Sequence, residues 1–531
     1  MSADRLRAIS AHLEPSKTGE GSSKEEMTTV LRNHASLRVS LKGIVSDVRG
    51  VPINQFRGIK YGHVPGRFEI SELWSSNQVQ RLDPIDCTQF GPVCPQNYTP
   101  PEVLLRVPQG LEDWLTTQNE FECLNLTVTV PALPQRQKKL PVLMWIYGGS
   151  QVMTFGNIGG KLCDPHRMVA ESVELNKPII VVALNYRLNI FGFGDGSQTN
   201  LALKDQMIAV DWVRKHIEGF GGDKQENITL AGESAGGVYV HAHSIVGTPI
   251  KRAILQSGSL ALSPPLPPKR GQSMTSNLAK IIQKETGYTL KDVPAELLLK
   301  RLEKDGVGAM WLQATDGLEG WNSKPEAVEE LMVGDCEYDS AIWRNGVESL
   351  NAEQINKSFD KIQNSSAIKS AYGIVPERST SCKLGALDFI NDYCFAMPAN
   401  DIAAKWRSNG RKVYQYIVDQ PNPWQSSSRS HHAVDLIFLF GGYDLSRINP
   451  KAESVGTEMR MRWIAFINGK QPWEEARRMA FGPVGNCVEI GEKEYRYRRR
   501  VSHFELLKQS SPREVVSAFA GLAMGSLSLD N

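Results

Sequence analysis

The chain lacks a membrane-spanning segment in its text. No apolar run approaches the roughly 18–20 residues that a membrane helix needs, and the longest, LPVLMWIY and PIIVVAL, are short and rich in branched side chains. They read as buried strands. Cysteine is scarce, with eight in 531 residues. No C-x-x-C pair and no Cys/His cluster with zinc spacing occurs, which excludes a disulfide scaffold and a zinc module. The ten histidines are scattered apart from His241/His243 and His431/His432. His241/His243 is an H-x-H pair, which on a helix points to different faces and does not read as a metal site. A charge excess is also missing. Sixty Lys plus Arg face 58 Asp plus Glu, for a formal charge of +2, which excludes a strongly basic nucleic-acid binder and an acidic solvating protein. The N-terminus has a charge every few residues and no apolar h-region, so a cytoplasmic address is expected; secretion follows only if that end is processed or incomplete.

What is present is globular text with a change of character. Residues 1–35 read as a tail, with a short helix at Arg5–Leu13 followed by turn-rich PSKTGEGSSKEE. From Leu37, alternation broken by glycines predicts antiparallel hairpins. Then LPVLMWIYGG, PIIVVALNYR and NITLAGESAGG each read as an apolar strand running into a turn. Between the last two, Leu203, Met207, Val210, Val213 and Ile217 fall at helical spacing. Strand, helix and strand in alternation predict a parallel sheet with helical crossovers. Residues 265–330 and 345–400 read as mainly helical insertions. The run YRYRRR, with Arg496 and Arg498–Arg500, reads as a solvated strand or loop.

The chemistry centres on Gly232-Glu233-Ser234-Ala235-Gly236, between a strand and a helix. A serine hydroxyl is a poor nucleophile unless it is held out of the backbone beside a base. A sharp strand-to-helix turn holds it out, and small residues two places either side let the turn close. The helix N-terminus beyond offers N–H groups to a developing oxyanion. By composition alone this five-residue pattern arises in about a quarter of chains this long, so the flanking strand and helix carry the argument. Tyr147-Gly148-Gly149-Ser150, after a preceding strand, can turn its amides toward one point, as an oxyanion hole requires. A base and an orienting acid should follow the serine. His431, His432 and His503 are the candidate bases, and Asp335, Glu337 and Asp339 in LMVGDCEYDSAIW the candidate acids; spacing alone chooses among neither set.

Taken together, these motifs resemble the type-B carboxylesterases, the cholinesterase-like branch of the α/β-hydrolases, from about residue 39 to 505. FRGIKYG, GPVCPQ, FECLNLTV, NYRLNIFGF, NLALKDQMIAVDWVRKHIEGFGGDKQENITLAGESAGG, AILQSGS and MRMRWIAFINGK all have counterparts there. The resemblance implies an α/β-hydrolase fold, a large mostly parallel central sheet flanked by helices, with N-terminal antiparallel hairpins and helical insertions. It implies one domain over 36–510, between the 1–35 tail and a C-terminal tail at 511–531. It implies a serine hydrolase cleaving a carboxylic ester through an acyl-enzyme, acting on a small-molecule ester with no metal or organic cofactor, no nucleic acid and no integral membrane segment. An acyltransferase using the same acyl-enzyme and an inactive binding or adhesion protein are the alternatives.

By position, Ser234 becomes the nucleophile. HAVDLIFLFG resembles H-G-x-E-L-x-x-x-F-G, which selects His432 as base over His431. Counting from Gly334 in GDCEYDSAIW selects Asp339 as the acid, with Glu337 second. The amides of Gly149, Ser150 and Ala235 become the oxyanion hole, and Cys94 and Cys123 occupy positions that pair as a disulfide in secreted members. Ser150 replaces a usual glycine; a positive φ there would cost about 1–3 kcal/mol. Asp339 replaces the commoner Glu and is one methylene shorter. Aromatic residues of 97–120 (Tyr98, Trp114) and 309–325 (Trp311, Trp321) are candidates to line the approach to the serine.

Overall fold

The computed structural model describes residues 28–75, 83–108, 117–134, 138–156, 159–224 and 227–523. The short helix expected at Arg5–Leu13, and Trp114, lie outside them. Twelve strands form the continuous path of one sheet: β1 (Thr29–His34), β2 (Val39–Val48), β3 (Val51–Lys60), β4 (Asn125–Pro131), β5 (Val142–Ile146), β6 (Ile180–Leu184), β7 (Ile228–Glu233), β8 (Arg252–Gln256), β9 (Glu330–Cys336), β10 (Lys412–Val418), β11 (Arg478–Phe481) and β12 (Cys487–Ile490). Their spatial order is β1-β2-β3-β4-β6-β5-β7-β8-β9-β10-β11-β12. From β6 to β11 every neighbour is parallel. The flanks are antiparallel, including the predicted N-terminal hairpins. This is the α/β-hydrolase architecture expected.

The apolar runs become central strands because both sheet faces are covered. In β5, Leu143 and Trp145 enter one core while Val142, Met144 and Ile146 enter the other. In β6, Val181 and Ala183 face the first, and Ile180, Val182 and Leu184 the second. A strand buried on both faces has no polar alternation, hence the continuous hydrophobic text. The helical stripe at 203–217 is realised in α1 (Leu201–His216), with Leu203, Val210 and Val213 buried.

Three expectations need correction. The N-terminal tail ends earlier than residue 35, because β1 pairs with β2 from Thr29. The segment after 510 is no tail where it is described. Pro512–Ala523 is a helix whose Val515, Ala518 and Leu522 are buried, since its apolar residues recur at helical spacing. The arginine run is solvated only in part: Arg496 is exposed near the end of a helix, Glu492–Arg498, whereas Arg499 is 1% exposed. Arg498 and Arg499 both bond Asp419, Arg499 also bonds Asp335, and Arg500 bonds Asp392. Asp335 and Asp392 are fully buried and demand these partners.

Candidate active site

The ends of four strands in the parallel part of the sheet assemble the site. The glycine loop follows β5, Ser234 follows β7, Asp339 lies three residues beyond β9, and His432 lies in the loop after β10. In the sheet order β5 adjoins β7 and β9 adjoins β10, with β8 between the two pairs. Strands about 4.8 Å apart bring their carboxyl-end loops within side-chain reach, although the residues are far apart in sequence.

Ser234 occupies the turn between β7 and α2 (Ala235–Val246), at φ 56° and ψ −122°. This is a strained position for a residue with a Cβ. The small flanking residues are sterically required. A Cβ on Gly232 would lie 2.5 Å from the backbone of Gly236, and one on Gly236 would lie 2.1 Å from the Ile146 carbonyl oxygen. The Ser234 amide donates to the Gln256 carbonyl at 2.9 Å, tying the turn to β8.

Beside it, Gly149 has φ 106° and Ser150 φ 56°. Position 150 therefore adopts the left-handed conformation in which a serine is strained. Among the described residues, the amides of Gly149, Ser150 and Ala235 donate to no main-chain carbonyl. Ser150 and Ala235 line the same cavity as Ser234.

The structure separates the candidate bases. His432 Nδ1 lies 2.8 Å from Asp339 Oδ1. His431 turns away: its Nδ1 lies 2.9 Å from the His432 carbonyl oxygen, and its Nε2 accepts from Asn422 Nδ2 at 2.9 Å. Burial pushes the His431 imidazole down to about 4, so it is neutral. His503 packs its ring on Tyr372, 4.6 Å between centroids. A short bridge makes the His432–Asp339 meeting possible. The Tyr338 amide donates to the Ser430 carbonyl at 2.8 Å, locking the acid loop to the histidine loop.

The acids separate likewise. Asp339 is fully buried. Its Oδ2 accepts from the Cys336 amide at 2.8 Å and from Ser257 Oγ at 3.0 Å. Both carboxylate oxygens are thus held, which offsets the one missing methylene by fixing the shorter side chain toward the ring. Glu337 instead takes Arg429 Nη2 at 2.7 Å, with its side chain about one-third exposed. Asp335 belongs to Arg499.

Glu233, between the turn glycine and the serine, has no role in the sequence reading. It is 1% exposed, neither carboxylate oxygen makes a hydrogen bond of good geometry, and Oε1 lies 3.1 Å from His432 Nε2. Burial pushes its carboxyl up to about 8, opposed by His432 and assisted by Asp435 and Asp339. Burial works to lower the His432 imidazole. The charge of Glu233, then the hydrogen bond and charge of Asp339, outweigh it and raise the ring to about 9. Both shifts are upward, so the pair retains a proton through neutrality. Nothing in G-x-S-x-G singles out its second position, and only the folded turn aims that side chain at the ring.

A cavity of about 300 Å³ opens over Ser234, walled by Val238, Leu262, Met310, Ile342, Trp343 and Phe519 among others. Of the aromatics proposed from sequence, neither Trp311 nor Trp321 reaches it. Trp311 packs on Phe193 and Trp321 on His241; the loop's Ala309 and Met310 line the cavity instead. Tyr98 is partly exposed and is not among the lining residues. Cys94 and Cys123 are both fully buried and both thiols, so the disulfide implied by the resemblance is not formed in this structure. The hydrogen bond with Cys94, with burial, holds the Cys123 thiol well above its ordinary range. No cluster of three or more His, Cys, Asp or Glu able to hold a metal ion occurs among the described residues, and no helix there is long and apolar enough to cross a membrane.

Comparison with known proteins agrees with this architecture. The carboxylesterase family model matches residues 36–503. Lipase 3 of Yarrowia lipolytica is 31% identical over 494 residues, spanning 89% of this chain and 96% of its own. The inactive carboxylesterase-like protein VdtD of Byssochlamys spectabilis is 36% identical over 218 residues, 39% of this chain and 35% of its own. A solved structure of PNB esterase is similar with a TM-score of 0.66 at 23% identity, over 89% of this chain and 99% of that chain; at that identity it speaks to the fold. The chain belongs to the carboxylesterase family, serine ester hydrolases built on the α/β-hydrolase fold.

Proposed function

We propose that Ser234, His432 and Asp339 carry the ester hydrolysis of this carboxylesterase, with the amides of Gly149, Ser150 and Ala235 as the oxyanion hole. The observation that carries the reading is the 2.8 Å contact of His432 Nδ1 with Asp339 Oδ1, on strand ends separated from the serine turn by β8 alone. Asp339 accepts a hydrogen bond from Nδ1–H and so leaves Nε2 as the basic nitrogen. Once the proton shared with Glu233 has left, Nε2 takes the Ser234 proton as Oγ attacks the ester carbonyl. The three amides hold the oxyanion. The alcohol departs with the proton returned by His432, leaving an acyl-enzyme. Water, deprotonated by the same nitrogen, attacks that intermediate and releases the acid and free serine.

The apolar walls of the cavity and the lipase name of the Yarrowia relative favour an ester with an apolar arm. The test is turnover of a chromogenic aryl ester by the purified protein and by Ser234→Ala. The substitution should lower kcat by roughly 10⁶ if the triad acts as a unit. Near wild-type turnover by the variant would remove the serine mechanism. Product analysis with a competing alcohol separates hydrolysis from acyl transfer, which uses the same residues.

A further inference from the structure

The C-terminal helix Pro512–Ala523 lies beyond residue 503, where the family model ends, yet it supplies Phe519, Ala520 and Ala523 to the cavity over Ser234. Its docking is specific. Val515, Ala518 and Leu522 form a buried stripe. Glu514 Oε2 accepts from the Gln363 amide at 3.1 Å. A Cβ on Gly521 would come within 2.9 Å of Ser358 Oγ, so this face sits close against the helix Ala352–Ser358. The Phe519 ring meets Trp343 edge to face, 5.5 Å between centroids, and lies 5.7 Å from Tyr393. Trp343 ends the turn that begins at Asp339, so the helix rests on the segment carrying the proposed acid.

The three residues facing the cavity differ in size in a way that matters. Phe519 is a broad wall. Ala520 and Ala523, on the same side of the helix, are the smallest side chains that still cover the backbone. Space lost or gained there changes the room beside Ser234 without touching the serine, its base or the oxyanion amides. A single methylene in an apolar pocket already separates substrates by about 10–200-fold, and an aromatic ring in place of a methyl group displaces several.

We infer that this helix is the specificity element of the site, with Phe519, Ala520 and Ala523 setting the size of the apolar arm of the ester that the cavity accepts. The inference rests on Ser234 being the nucleophile. It is tested in the full chain with two substrate series, aryl esters of lengthening acyl chain and acetate esters of lengthening alcohol. Ala520→Phe should reduce kcat/KM for the longest members of one series by about tenfold or more relative to the shortest; the affected series identifies the arm. Phe519→Ala should move the preference toward longer members of that same series. Unchanged profiles in both variants, or a loss equal at every length, would overturn the inference while Ser234-dependent turnover stands. Activity that persists in Ser234→Ala would overturn the reading beneath it, so the two failures are distinct.

Discussion

Glu233 Oε1 and His432 Nε2 lie 3.1 Å apart, so the nitrogen that must accept the serine proton already faces a buried carboxylate. The pair is an ion pair or a shared proton, and in either form the ring is not a free base. Removing a lone buried partner would leave the other charge uncompensated, so the two residues are electrostatically one unit. This sets the first expectation.

The His432 imidazole is raised to about 9, above its ordinary 6.5, and only the deprotonated ring can act as base. The kcat/KM profile should therefore rise along a limb centred above 6.5. Glu233→Gln removes the acid that stabilises the charged ring, so the limb should move down by about one pH unit or more. The measurement is kcat/KM against pH for both proteins. A limb that stays in place, or moves up, would show that Glu233 does not govern the ring.

Asp339→Asn should reduce kcat by about 10⁴, because the amide no longer fixes the productive tautomer. Glu337→Gln should leave kcat essentially unchanged, since that side chain is occupied with Arg429 on the surface. His431→Ala should likewise be mild in kcat beside His432→Ala. Steady-state kinetics on the four variants decides it; the reverse ranking of the two acids would displace the assigned register.

Much of this was legible in residues. The three strand-to-turn runs, the α1 stripe and the G-x-S-x-G turn follow from periodicity and steric need, and the glycine spacing is borne out by the sub-3 Å approaches at Gly232 and Gly236. What escaped depends on lateral sheet order. Ser257 reaches Asp339 because β8 lies between β7 and β9, a neighbourhood that no local pattern encodes. Arg499 looked like surface charge because its partners, Asp335 and Asp419, are 164 and 80 residues away. The C-terminal helix Pro512–Ala523 carries its apolar residues at helical spacing, but what Val515, Ala518 and Leu522 pack against is decided by the fold and not by local pattern.

Ser150→Gly tests the strain at φ 56°. Relief of about 1–3 kcal/mol exceeds the extra unfolded-state entropy of glycine, about 0.5–1 kcal/mol. The variant should thus be more stable by about 1 kcal/mol, while the amide donor is kept and kcat changes little. Urea unfolding monitors it; a lower midpoint would mean the serine side chain contributes more than the strain costs.

Arg499→Met should destabilise the fold by about 3–5 kcal/mol, because it leaves buried Asp335 without its cation and Asp419 with Arg498 alone. Burial already raises Asp335 to about 7 with Arg499 opposing. Without the arginine its folded-state value rises further above the unfolded one. An acid raised in this way destabilises more as pH increases, so the deficit should be smaller at acidic pH and larger at alkaline pH. Adding Asp335→Asn should restore part of the loss. Denaturant titrations at several pH values check the sign, and a deficit that shrinks with rising pH would contradict it.

The central claim is that one serine is activated through one histidine. Reaction of the purified protein with a fluorophosphonate, followed by peptide mass mapping, tests it most directly. The account predicts a single modified residue, Ser234, with the label lost in Ser234→Ala and its rate of formation collapsing in His432→Ala. A label on a different residue, or one that forms on Ser234 at an unchanged rate without His432, would contradict it.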